Sequence, residues 1–524
     1  MSTWQSRRTL GALAVPAVLS LLSALPGLTP AASAQPLTGA GTVTGDLSDS
    51  APRPNIVFVM ADDLGWSDLG TGRTNLGNGN DFNETPAIDR LADEGQTFDN
   101  AYACLNCAPT RAALLTGLYA PRPQNNIYAV GDLNRGGVET LLAGAPERRE
   151  DGDVVLPPDA VTVGESMQGA GYSTGYVGKF HVAKNPEEIV AEHGFDENFG
   201  GGHAGNATAY FASNGQFNNS VAPSLDAFAA DYTQEYVDQN LKPYSQGVDD
   251  AAIDALVGTD KHVTDALGDA AIDFIDRNKN QPFFTFFSEF AVHSPNGNAQ
   301  ARKDLLAKYQ AKTPGEDPVK PSYAALTEGL DQSVARLIDH LQTTPDPRNP
   351  GHDLADNTLV VFTSDNGGRE DLGGFNGPLK GQKGELDEGG VRVPWIVWSE
   401  NRHLVRAGTT NSSPINGTDL YPTLADYAGA ELPSGLPFDG TSLRDPYASG
   451  ARVNRPRFAH MPGYLIEGGR DQRPETTVRD GQQPVDLQVR GTTYSDGAVR
   501  QYGQDTTVRI EPGDELPVVL QRAD

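Results

Sequence analysis

Both cysteines of this chain lie in one stretch, CLNCAPTRAALLTG, at residues 104–117. Three chemistries fit two thiols at that spacing: a redox or disulfide pair, half of a thiolate metal site, or one reactive cysteine beside an incidental one. A disulfide scaffold for a long exported chain needs several cysteines, and a four-cysteine zinc site would need a second pair. A Cys-x-x-Cys redox pair opens a helix in a small thioredoxin-like unit, which leaves Pro109 and Arg111 unexplained. Proline is favoured in the first turn of a helix, and residues 110–119 are apolar and helix-compatible, so Cys107 belongs at or just before a helix N-terminus. Free N–H groups and the positive dipole end there suit an anion and lower a thiol pKa. Arg111 adds a fixed cation one turn in. The stretch reads as a reactive side chain in an anion cradle.

Four apolar runs elsewhere end in residues able to bind a metal or move protons. NIVFVM (55–60) stops at Asp62 and Asp63, and TLVVFT (358–363) stops at Asp365 and Asn366. PFFTFF (282–287) precedes His293, and YSTGYV (172–177) precedes Lys179 and His181. Such short runs read as strands buried on both faces. An apolar stripe at helix spacing, from Leu326 through Leu330, Val334, Leu337 and Ile338 to Leu341, predicts a helix over 323–342. Strands alternating with helices give an α/β fold with a large, mostly parallel sheet covered by helices on both faces. Ligands bind such sheets beyond the carboxyl ends of the strands. Asp and Asn after a strand are also ordinary turn formers, but four such endings at one edge argue for a site. His193, His262, His340, His352 and His403 are read as structural or exposed.

A net charge of −29 over 524 residues disfavours nucleic acid and anionic membranes as partners, so an anionic substrate must meet a local basic pocket. Residues 1–34 have a basic start, an apolar run and a small-residue Ala32-Ser33-Ala34 end, which is the pattern of a cleaved secretory signal. Arg7 and Arg8 fit the twin-arginine route. A secreted or periplasmic protein with no stable membrane insertion is expected. The domain reading is a signal peptide at 1–34, a linker at 35–54, a catalytic domain at 55–445 and a small C-terminal subdomain at 446–524. Alternating stretches near 486–489 and 506–510, with a turn at Asp496-Gly497, predict an antiparallel sheet in that last part.

The segment from Cys107 to Gly117 resembles the type I sulfatase signature, C-x-P-S/T-R followed by x-x-x-L-T-G. Further blocks similar to that family run along the chain, among them PNIVFVMADDLG, GYSTGYVGKFH, FAVHSP, TSDNGG and GPLKGQKGELDEGGVRVP. The resemblance implies an alkaline phosphatase-like fold and hydrolysis of a sulfated small molecule or carbohydrate. It implies that a maturation enzyme oxidises Cys107 to Cα-formylglycine (3-oxoalanine), whose hydrate is the nucleophile. It implies one divalent cation on Asp62, Asp63, Asp365, Asn366 and modified Cys107. An all-oxygen, carboxylate-rich set of irregular geometry favours Ca²⁺. Arg111, Lys179 and Lys383 would neutralise the nucleophile and the sulfate oxygens, and His181 and His293 would handle protons. Phe180 stands where the family usually has Trp, and Asn296 where some members carry a further histidine. A phosphonate or phosphate ester hydrolase on the same scaffold, and a non-catalytic sulfated-glycan binder, are the alternatives.

Overall fold

The computed structural model describes residues 52–120, 122, 125, 127, 155–315, 317, 319–455 and the strand residues between 457 and 518. The expected signal peptide and nearly all of the linker lie outside the described residues. The runs that read as buried strands are strands: β1 (Asn55–Ala61), β3 (Ser173–Gly178), β5 (Phe283–Ser288) and β6 (Thr358–Ser364). β2 (Gln96–Tyr102), β4 (Glu197–Phe199), β7 (Arg392–Trp398), β8 (Thr409–Asn411) and β9 (Ile415–Asn416) complete the sheet. Its order is β4-β3-β5-β1-β6-β7-β2-β8, with β9 also on β2. From β4 to β6 every pairing is parallel, and β7 then runs antiparallel to both β6 and β2. The sheet is therefore mixed but mostly parallel.

Alternation along β1 shows why its sequence is apolar throughout. Val57, Val59 and Ala61 enter one hydrophobic cluster, while Ile56, Phe58 and Met60 enter another on the opposite face. The first face is covered by α1 (Pro86–Glu94), α3 (Val263–Asn278) and α4 (Pro321–Thr343). Leu326, Leu330, Val334, Leu337, Ile338 and Leu341 of α4 all lie in that cluster, as their spacing predicts. The second face receives α2 (Cys107–Thr116) and α5 (Leu420–Ala428).

Parallel pairing puts the carboxyl ends of β3, β5, β1 and β6 at one edge. The register sets Met60 opposite Ser288, Ser288 opposite Gly178, and Ala61 opposite Ser364. Asp62, Lys179 and Asp365 each follow one of those register positions immediately. Beyond residue 456, Val485–Val489 pairs antiparallel with Thr506–Ile510, and Thr493–Ser495 with Val499–Gln501. Among the described residues no helix is long and apolar enough to cross a membrane.

Candidate active site

Cys107 is the first residue of α2, and the Asn106 side chain caps the helix by accepting from the Cys107 N–H at 2.9 Å. The helix ends at Gly117, whose φ of 68° is the left-handed cap that glycine adopts without penalty. Cys107 Sγ lies 3.7 Å from Asp62 Oδ1. Thr110, one turn along, donates to the Asp365 carbonyl at 2.6 Å and accepts from the Cys104 N–H at 3.0 Å, tying the cysteine loop to the end of β6. Both cysteines are free thiols, which removes the disulfide alternative for this structure.

Three buried carboxylates meet three buried cations here. Lys179 Nζ lies 2.5 Å from Asp62 Oδ2, Lys383 Nζ 2.7 Å from Asp63 Oδ1, and Arg111 Nη2 2.8 Å from Asp365 Oδ2. Arg111 is clamped further, because its Nη1 donates to the Lys179 carbonyl at 2.5 Å and to Ser288 Oγ at 2.6 Å. Gly178 makes room for this crossing: its φ is 95°, and a Cβ there would sit 1.8 Å from the Ser288 carbonyl oxygen. Each of the three cations is thus paired with a carboxylate.

The pairing sets the charges unevenly. Burial, with the neighbouring Asp365 charge, drives the Asp62 carboxyl well above its ordinary value in spite of Lys179. Burial pushes Asp63 the same way, but Lys383, His293 and Lys179 outweigh it and hold that carboxyl low. Burial is likewise overcome at Asp365, chiefly by Arg111. For Cys107 the expected depression of the thiol is reversed. Burial raises it, and the charges of Asp365 and Asp63 offset the help from Lys179 and Lys383. The helix N-terminus acts, but desolvation of a thiolate is the larger effect.

Asp63 and His181 are non-glycine residues with positive φ, 62° and 71°. Such backbone is costly and collects at functional sites. His181 is buried, its Nδ1 has no hydrogen-bond partner, and Gly205 packs so closely that a Cβ there would come within 2.6 Å of Nε2. Burial and then Lys179 hold its imidazole well below its usual value. His293 is set by its Nδ1, 2.7 Å from the Ser294 carbonyl, which must accept a proton from it. Nε2 is then the lone-pair nitrogen, 3.5 Å from Asp63 Oδ2.

All ten residues singled out from the sequence therefore gather at this edge. Asp62, Asp63, Cys107 and His293 each place a ligand-type atom within 4.8 Å of the others, so His293 joins the group of possible metal donors. Asp63 Oδ2 and Asn366 Oδ1 are buried and accept no hydrogen bond. Two orphaned oxygens beside carboxylates suit a hard cation. Phe180 turns away from the site into the second core, where it stacks on His193 with ring centroids 5.5 Å apart. Asn296 donates to the Leu372 carbonyl at 3.2 Å. Thr110, Asn106 and Ser288 were not read as site residues. Thr110 alone had a signal, its place between Pro109 and Arg111.

The sulfatase family model matches residues 54–430, which include every one of these residues. The chain belongs to the sulfatase family. A sulfatase from Formosa agariphila is 37% identical over 80% of this chain and 77% of the relative. Human N-acetylgalactosamine-6-sulfatase is 30% identical over 80% of this chain and 70% of the relative. The crystal structure of Ps i-CgsB in complex with k-i-k-neocarrahexaose is similar at a TM-score of 0.57 and 28% identity, covering 84% of this chain and 85% of that one. This sulfatase is accordingly a sulfuric ester hydrolase with the mixed α/β fold of its relatives.

Burial makes the Arg111 pairing testable by stability alone. Arg111→Met should destabilise the protein by about 3–5 kcal/mol, because buried Asp365 loses its partner and Asp62, which keeps Lys179, loses a second cation 3.7 Å away. Arg277→Met, at an ion pair where Arg277 and Glu197 are 44% and 35% exposed, should cost under about 1 kcal/mol. Chemical denaturation of both variants measures the difference, and equal losses would refute the paired-charge description.

Proposed function

We propose that this sulfatase is exported and hydrolyses a sulfate ester, of a carbohydrate or an aryl alcohol, through Cys107 converted to formylglycine. One Ca²⁺ would be held by Asp62, Asp63, Asp365 and Asn366 together with modified Cys107. The observation that carries the reading is the position of Cys107, at a capped helix start and 3.7 Å from Asp62 within the paired-charge cluster. The fit to a cation rests on the buried, unpartnered oxygens of Asp63 and Asn366. The cation would supply fixed positive charge to the sulfate oxygens, and the hydrated aldehyde would supply the attacking hydroxyl.

The protein's own groups divide the remaining work by their constraints. Arg111 is clamped on three sides and holds Asp365. Lys179 and Lys383 are ammonium groups on flexible stems, able to exchange a carboxylate for a sulfate oxygen. His293 keeps Nε2 toward the site. Burial and then Lys383 hold its imidazole low, so it becomes a proton donor only when an anion enters and raises it. Residues 1–34 support export and a later meeting with sulfated material outside the cytoplasm. The names of the relatives, an N-acetylgalactosamine-6-sulfatase and a protein crystallised with k-i-k-neocarrahexaose, favour a sulfated carbohydrate. The same reading keeps 55–445 as the catalytic domain and 446–524 as a small antiparallel subdomain.

Mass spectrometry of the peptide spanning both cysteines tests the modification. Protein produced with a maturation enzyme should carry formylglycine at 107 and a thiol at 104. A Cys104–Cys107 disulfide in active protein would overturn it.

The proton donor is tested by leaving-group dependence. His293→Ala or Lys383→Ala should lower kcat about 10²–10⁴-fold for esters of weakly acidic alcohols and much less for acidic phenols. Equal losses on both ester types would show that the residue binds sulfate and donates no proton.

A further inference from the structure

Asp63 presents its side chain to the site from a backbone in the left-handed region, at φ 62°. Two contacts hold it there. Its N–H donates to Asp365 Oδ1 at 3.1 Å, and its carbonyl oxygen lies 3.1 Å from the hydroxyl of Tyr323, which reaches in from the first turn of α4. The same hydroxyl lies 2.5 Å from Asp68 Oδ2. Asp68 is itself buried and accepts from the Gly65 N–H at 2.7 Å and the Phe375 N–H at 2.9 Å. One carboxyl thus links the loop after β1, the long helix α4 and the loop after β6.

Asn376 closes the same joint. Its Oδ1 accepts from the Gly368 N–H at 2.9 Å, and its Nδ2 donates to the Gly368 and Gly381 carbonyls at 3.0 and 3.3 Å. Gly65 lies flush against this assembly: a Cβ there would be 2.3 Å from the Phe375 carbonyl oxygen and 2.7 Å from Asp68 Oδ2. The second loop continues to Lys383, whose N–H lies 3.3 Å from the Gly368 carbonyl and whose ammonium pairs with Asp63. Burial raises the Asp68 carboxyl to about 7. The Tyr323 hydroxyl is placed to donate to both the Asp68 carboxylate and the Asp63 carbonyl.

We propose that Asp68 and Tyr323 are positioning residues for the cation site, fixing the Asp63 backbone and holding the loop of Lys383 against it. This rests on the Ca²⁺ reading given above. Neither residue faces the reacting atoms, so their effect passes through Asp63.

The test is Ca²⁺ titration of the full-length, matured protein by thermal unfolding. Tyr323→Phe removes one oxygen and keeps the ring in the core. It should weaken Ca²⁺ affinity about 10–100-fold, as loss of a residue supporting a ligand does, and the lost kcat should return at high Ca²⁺. Tyr309→Phe is the control: that buried tyrosine accepts from the Glu84 N–H at 3.2 Å, and its loss should leave the Ca²⁺ midpoint unchanged. Asp68→Asn should move the midpoint in the same direction as Tyr323→Phe, and it carries the test if Tyr323→Phe does not fold. If these variants melt lower by the same amount with and without Ca²⁺, at an unchanged midpoint, the residues are merely structural and the inference fails. A wild-type protein whose melting ignores Ca²⁺ would instead overturn the cation reading.

Discussion

Three buried ion pairs at one sheet edge, Asp62 with Lys179, Asp63 with Lys383 and Asp365 with Arg111, are the constraint on which the rest of the structure depends. Ion pairs of this kind are poor sources of stability. Desolvating each ion costs several kcal/mol, and well-packed apolar residues often do as well or better. On the proposed function, their presence is explained by what they would do for an anion arriving at the edge. A sulfate ester brings one negative charge into a water-poor site, and only fixed positive charge already in place can receive it without reorganisation. On the proposed function, the carboxylates keep those cations buried and would themselves be ligands for a hard ion.

The sheet makes this arrangement possible. β3, β5, β1 and β6 are adjacent and parallel, so four loops leave from one edge within a few strand spacings. Apolar clusters on both faces hold the strand ends still. The helix dipole of α2 adds its positive end above the same edge, with Cys107 at its first position. A helix thus carries Cys107 and Arg111, Asp62, Asp63, Lys179, Asp365 and Asn366 sit within two residues of a strand end, and Lys383, His181 and His293 come from farther along the loops.

Much of this was legible in the sequence, for reasons that differ by element. β1, β3, β5 and β6 declared themselves because both faces are covered, which leaves a continuous apolar run. β2 did not, since Gln96, Thr97 and Asp99 are buried polar residues inside a strand and break the apolar signal. β7 holds Pro394. The α4 stripe from Leu326 to Leu341 reads as core, while Tyr323 reads only as the start of that helix, although its hydroxyl reaches Asp63 and Asp68. Asp68 stands in the same ADDLGWSDLG stretch as Asp62, but only the fold shows that it joins three elements. The thiol pKa was read in the wrong direction because sequence shows a helix start and an arginine but not the depth of burial. Which carboxylate each cation meets is likewise a matter of distances between loops far apart in the chain.

The most direct test of the account is turnover of matched sulfate and phosphate esters of one chromogenic phenol, by matured protein and by its Cys107→Ala variant. The account predicts a higher kcat/KM for the sulfate ester and loss of that activity in Cys107→Ala. A preference for the phosphate ester, or sulfate release that survives without Cys107, would contradict it.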